Sequence, residues 1–239
     1  MKFAVLALAC MIAGCAGSRE RRLTIAAAAD LNFALDEIVA HYPGQLRVSY
    51  GSSGNFATQI ANGAPFDLFL SADIEYARRV APNPGAVFPY AIGRLVVWVP
   101  ASSPLDPATA LRSPALRHLA IASPQHAPYG KAAEAALRHM GLWDAVQPKL
   151  VLGENIVQAF QLVDSGAAEA GMVALSLALG PAGRARGRYS EIPLDAYPRL
   201  EQGGVILKDS PAARAFRDYL IGPEGRRILE RYGFSLPPN

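Results

Sequence analysis

Four short stretches of the 239-residue chain join small or polar residues to the start of an amphipathic helical pattern: Ala29-Asp30, Ser52-Ser53-Gly54, Pro128-Tyr129-Gly130 and Asn155-Ile156-Val157. The first turn of a helix carries backbone N–H groups without intrahelical acceptors, and aligned peptide dipoles place about half a positive charge there. Four such ends converging would hold an oxyanion through directional, charge-assisted hydrogen bonds, with no need for arginine. Ser53 is the best single candidate, since it offers a hydroxyl and an N–H at one helix start; the plainer alternative is an N-cap serving its own helix. Asp30 fits less easily, because a carboxylate aimed at a buried dianion is strongly unfavourable at low dielectric. The expectation is therefore that its side chain caps its own helix and faces away from any ligand. The alternative is that it accepts a proton from a ligand such as hydrogen phosphate.

Catalytic chemistry has little to stand on. His41, His118, His126 and His139 are scattered without metal-ligand spacing, no HExxH occurs, Ser52-Ser53 lacks the GxSxG frame, and no P-loop lysine follows the Gly/Ser turn. The chain is expected to be no enzyme and to hold neither a cofactor nor a protein-ligated metal cation. A formal net charge of +3 is too mild to imply a nucleic-acid partner. The arginines between 19 and 22 and between 184 and 188 read as a tether and a solvated loop.

The elements that must position the four junctions follow a parallel α/β pattern, short apolar strands alternating with amphipathic helices. Leu23 to Ala28 is a near-continuous apolar run, suited to a strand covered on both faces, and Leu31, Leu35, Ile38 and Tyr42 then recur at helical spacing, with Asp30 as N-cap. Leu46, Val48 and Tyr50 alternate as a strand before the Gly/Ser turn and a helix carrying Phe56 and Ile60; Asp67 to Leu70 supplies a third strand. Ile92 to Pro100 is one further apolar run, followed by a Pro/Ser/Asp-rich loop. The layout then repeats: strands at 118–122, 149–152 and 170–175, helices at 129–140 and 156–163. A strand at 205–207 and two terminal helices, each opening on a proline, close the chain.

The N-terminus is set apart. Lys2, the apolar run from Phe3 to Ile12, and Gly14-Cys15 read as an export signal too short to span a bilayer. Ile12-Ala13-Gly14-Cys15 resembles the bacterial lipobox, which implies a signal at residues 1–14, acylation of Cys15, and a tether at 15–21. The mature chain would then be an exported lipoprotein held on the membrane by its N-terminal lipid. Cys10 would leave with the signal, so no cysteine remains for a disulfide.

At the junction residues the chain resembles the molybdate-binding proteins of bacterial ABC transporters. The matching segments are Ala26 to Leu31, Tyr50 to Asn55, Gly63 to Asp73, Tyr90 to Leu95, Ser123 to Gly130, Gly222-Pro223-Glu224 and Tyr232-Gly233-Phe234. The resemblance implies a two-lobed periplasmic-binding-protein fold of type II, each lobe a mixed sheet flanked by helices, with the ligand cleft between them. Lobe 1 would comprise 22–90 and 198–239, and lobe 2 would comprise 91–197. It further implies molybdate or tungstate as ligand, a permease and its ATPase as partners, and a monomer that closes from an open form around the anion. Position by position, Ser53 would donate through Oγ and N–H, Asp30 through its N–H, and Tyr129 and Val157 through N–H groups of the second lobe. Ala29 stands where relatives often carry a serine or threonine, and Ala174 where some carry a tyrosine, so the set would lack at least one hydroxyl donor that relatives use. Phosphate or sulfate binding, and a lipid-anchored ligand sensor, are the alternatives.

Overall fold

The computed structural model describes residues 22–237. The expected signal at 1–14, the lipid-bearing Cys15 and the tether at 15–21 lie outside the described residues.

Ten strands form two five-stranded sheets. The first contains β1 (Leu23–Ala28), β2 (Leu46–Gly51), β3 (Leu68–Ser71), β4 (Val87–Gly93) and β10 (Leu200–Ile206) in the order β2-β1-β3-β10-β4. The second contains β5 (Leu95–Pro100), β6 (Leu119–Ala122), β7 (Leu150–Gly153), β8 (Ala170–Ala174) and β9 (Gly187–Glu191) in the order β7-β6-β8-β5-β9. In each, the first three strands named in order run parallel and the last two join antiparallel. Helices α1 (Asn32–His41), α2 (Ser53–Ala61), α3 (Ile74–Val80), α9 (Pro211–Ile221) and α10 (Pro223–Arg231) flank the first sheet. Helices α4 (Pro128–His139), α5 (Trp143–Val146), α6 (Ile156–Asp164), α7 (Leu175–Ala178) and α8 (Pro181–Arg186) belong to the second.

The strand alternation decides which face each side chain covers. Leu23, Ile25 and Ala27 of β1 pack with Leu35, Ile38, Phe216 and Ile228, whereas Ala26 points the other way, to Phe56, Phe69 and Tyr76. Covering on both faces explains why β1 reads as an unbroken apolar run. The second sheet closes its core around Trp98, whose ring lies 4.7 Å from that of Phe160.

Three expectations from the sequence need correction. The apolar run from Ile92 to Pro100 is not one strand: β4 ends at Gly93 in the first sheet and β5 begins at Leu95 in the second, so the chain changes sheets inside it. The arginines of 184–188 do not sit in a solvated loop but in α8 and the edge strand β9, where side chains can still reach water from ordered backbone. The third strand begins at Leu68, since the Asp67 carboxylate instead ties the Thr24 N–H at 2.8 Å and its hydroxyl at 2.7 Å.

Candidate anion-binding site

Parallel strands of both sheets aim their carboxyl ends at one shared cleft, the position where α/β sheets bind ligands. The small pocket there is lined by Ala28–Asp30, Gly51–Ser53, Ala72, Ala127–Tyr129 and Asn155–Ile156. Among the described residues no lysine, arginine or histidine lines it, and Asp30 is the one carboxylate that does.

Ser53 opens α2 and is 1% exposed. Its Oγ accepts a hydrogen bond from the Ala72 N–H at 3.0 Å, which fixes the rotamer and leaves the hydroxyl proton for an acceptor in the pocket. It does not cap its own helix; the N-cap residue is Ser52, and that side chain makes no cap bond either. Ser52 Oγ instead donates across the cleft to the His126 carbonyl at 2.6 Å, and the Gly54 N–H donates to the same oxygen at 3.0 Å. A Cβ at Gly54 would lie 2.5 Å from that oxygen, so only glycine permits this approach.

Ala29 and Asp30 sit in a single 3-10 turn, Ala29–Leu31, directly after β1. The expectation that Asp30 caps its own helix fails: neither this turn nor α1 has a side-chain cap. The carboxylate, 1% exposed, turns inward instead and accepts at Oδ2 from the Tyr129 hydroxyl at 3.0 Å and from Gln202 Nε2 at 2.5 Å. The competing partners won because Tyr129 and Gln202 are themselves buried and need an acceptor. Burial raises the Asp30 pKa to about 6, against the lowering effect of the Gln202 and Tyr129 hydrogen bonds. The backbone N–H groups of Asp30 and Leu31 also favour the carboxylate and lower its pKa, although Oδ1 has no partner of full hydrogen-bond geometry.

Tyr129 is the first residue of α4 with an N–H, since Pro128 precedes it at the helix start. Its hydroxyl passes Gly93, where a Cβ would come within 2.2 Å of it. Burial, and after it the Asp30 charge, hold the Tyr129 hydroxyl well above the usual tyrosine range, so it stays a donor. Val157 is placed differently. Its N–H donates to Asn155 Oδ1 at 3.0 Å, and Asn155 and Ile156, not Val157, line the pocket. Val157 borders a neighbouring recess together with Ala29, Tyr50 and Gln158.

The structure thus brings Ala29, Asp30, Ser53 and Tyr129 to one pocket and leaves Val157 at its margin. Sequence reasoning missed Gln202, Ser176 and Ala72, and held Ser52 only as part of its junction, without a partner of its own. Gln202 is fully buried in β10, where the strand register slips before Gly203, and a polar residue ahead of a glycine pair inside a strand is the signal that could have found it. Ser176 Oγ donates to the Asp30 carbonyl at 2.7 Å, and Lys131 Nζ donates to the Tyr76 hydroxyl at 2.8 Å, so that among the described residues six polar bonds tie elements of the first sheet to those of the second, the longest being Gln202 Nε2 to the Tyr129 hydroxyl at 3.5 Å. The two sheets stand closed upon each other. The His126 ring plays no part, its Nε2 lying 3.0 Å from the Glu154 carbonyl. Among the described residues no group of three or more His, Cys, Asp or Glu could hold a metal ion.

Two sheets of matching strand order, with a small pocket between their carboxyl ends, define a type II periplasmic-binding-protein fold built to enclose a small solute. The chain belongs to the bacterial extracellular solute-binding protein family, whose model matches residues 23–235. It is 37% identical to the molybdate-binding protein ModA of Azotobacter vinelandii, over 97% of this chain and 96% of that protein. It is 38% identical to ModA of Rhodobacter capsulatus, over 78% of this chain and 75% of that protein. Among solved structures, the periplasmic molybdate-binding protein of Azotobacter vinelandii superposes with a TM-score of 0.83 at 32% identity, covering 91% of this chain and all of the other.

Proposed function

We propose that this chain binds molybdate, a tetrahedral oxyanion, in the pocket between its lobes and delivers it to an ABC importer, without catalysis of its own. The observation that carries the reading is the pocket's donor chemistry: helix starts from both lobes and an oriented serine hydroxyl, with no basic side chain. Likeness to molybdate-binding proteins along nearly the whole chain supports the same ligand. Ser53 would donate through Oγ and N–H, Ala29 and Asp30 through the N–H groups of their turn, and Tyr129 through its N–H. Val157 would contribute only by sharing its N–H with Asn155 or taking it back. Tungstate, with the same shape and charge, would occupy the same donors.

The lobes act as the moving bodies, with the first crossing at Gly93–Arg94 and the return between Glu191 and Leu200. Ligand donors from both sides stabilise the closed form, and closure is what a permease and its ATPase would sense. The protein would work as an exported monomer anchored by lipid at Cys15. Isothermal titration of the mature chain with molybdate, tungstate, sulfate and phosphate tests the reading. Tight binding of the first two with weak or absent binding of the smaller pair is expected, because a smaller anion leaves donors unpaired. A preference for phosphate or sulfate would overturn it.

A further inference from the structure

The pocket proposed for a dianion has one formally charged lining residue, and its charge has the wrong sign. Asp30 is 1% exposed, lies at the junction of both lobes, and leaves Oδ1 without a partner. Gln202 is fully buried beside it and likewise leaves Oε1 unpaired. Two buried residues that bond each other and each keep an unpaired acceptor, in a site about to receive two further negative charges, are one proton short. We propose that Asp30 is a positioning residue that binds a proton together with the oxyanion, so that the loaded, closed protein holds a neutral carboxylic acid between Tyr129 and Gln202.

The proton comes from solvent and rests on Oδ2. Turning the Gln202 amide places Oε1 against Oδ2, a contact at the short end of the O–H···O range and too short for an ordinary N–H···O bond, and the acid then donates to it. The groups facing Asp30 offer no other source of compensation. They are Tyr129 from α4, Tyr90 from β4, Gln202 from β10 and Ser176 from α7, with Tyr197 beyond Tyr129; the tyrosines are all held above their usual range and remain neutral. A carboxyl that already titrates at about 6 is raised further by a nearby dianion, so uptake falls in the neutral to alkaline range.

This inference rests on the oxyanion reading of the site, and one experiment separates the two. Titration calorimetry with sodium molybdate, in pairs of buffers with different ionisation heats, reads the protons bound per anion. At pH 8 the wild-type protein should take up close to one proton, falling towards none at pH 5, and its affinity should weaken by up to tenfold per pH unit above about 6. Asp30→Asn should show no uptake at pH 8 and bind more tightly than wild type there, by up to a hundredfold. A purely structural Asp30 would give a variant weakened equally at all pH values. Buffer-independent heat at pH 8 with binding intact, or uptake that survives in Asp30→Asn, overturns the proton claim alone. Absence of molybdate heat in every buffer overturns the reading of the pocket, and this inference with it.

Discussion

The helices that follow β2 and β7 occupy matching places in the two sheets and begin in opposite ways. At the start of α6, Asn155 Oδ1 accepts from the N–H groups of both Val157 and Gln158, at 3.0 and 3.1 Å, so the helix satisfies its own first turn. At the start of α2, Ser52 gives its hydroxyl away to His126 in the other lobe, the Gly54 N–H follows it, and Ser53 keeps a hydroxyl proton for the pocket. The second end is complete alone, whereas the first is completed only by a closed partner lobe and a ligand. Binding energy and closure are therefore coupled at α2, and α6 contributes a nearly finished wall.

The most severe way to break this contrast is to block the approach at α2. Gly54→Ala would put a Cβ 2.5 Å from the His126 carbonyl, a backbone atom that cannot swing aside. Losing closure removes the second lobe's donors, and two charge-assisted bonds of about 2 kcal/mol each correspond to roughly a thousandfold loss of molybdate affinity. The empty protein with its lobes apart should be about as stable as wild type, since the nearest atoms that a Cβ at Gly54 meets belong to His126 of the other lobe. Tight binding by Gly54→Ala would show that this contact is dispensable for closure.

The junction after β1 lies between the two extremes, because Asp30 is bonded across the cleft yet not fully satisfied. Its carboxyl titrates at about 6 in the folded protein against 3.8 when free. Between those values the native state holds more protons than the unfolded chain, so stability falls as pH rises through that window and levels off above it. The shift corresponds to about 3 kcal/mol. In denaturant unfolding of the empty protein, Asp30→Asn should be more stable than wild type by about that amount at pH 8, with the gap closing towards pH 4. A variant less stable than wild type at pH 8 would mean that the ionised form is the one the fold prefers.

How much of this was legible in the residues follows from the range of the forces involved. The α/β layout and the four junctions could be read because strand burial and helix starts are local patterns in β1, β2, β6 and β7. The direction of the Asp30 side chain could not, since it is decided by Tyr129 and Gln202, 99 and 172 residues further along the chain. The same holds for Ser52, which looks like an N-cap until a carbonyl 74 residues away competes for its hydroxyl. The split of Ile92 to Pro100 into two sheets was hidden because both strands are apolar and only Arg94 separates them.

A smaller effect is expected at Ser53. Ser53→Ala removes a donor to the anion and leaves the Ala72 N–H buried without its acceptor, so the loss combines both costs. About 2 kcal/mol, or roughly thirtyfold in affinity, is expected, with part of it appearing as lower stability of the empty protein. A loss confined to stability, with affinity unchanged, would place the ligand away from α2.

The mildest change is the most informative about α6. Asn155→Ala deletes the cap on Val157 and Gln158 and should cost about 1 kcal/mol of stability. It also returns the Val157 N–H to the cleft, where an oxyanion is a better acceptor than a neutral carboxamide because the bond becomes charge-assisted. Affinity should therefore rise a few-fold even as stability falls, a pairing that simple damage cannot produce. If affinity falls together with stability, Asn155 is holding the wall in place for the ligand and not competing with it. The contrast between an open and a finished helix start would then give way to two ends that both depend on the anion.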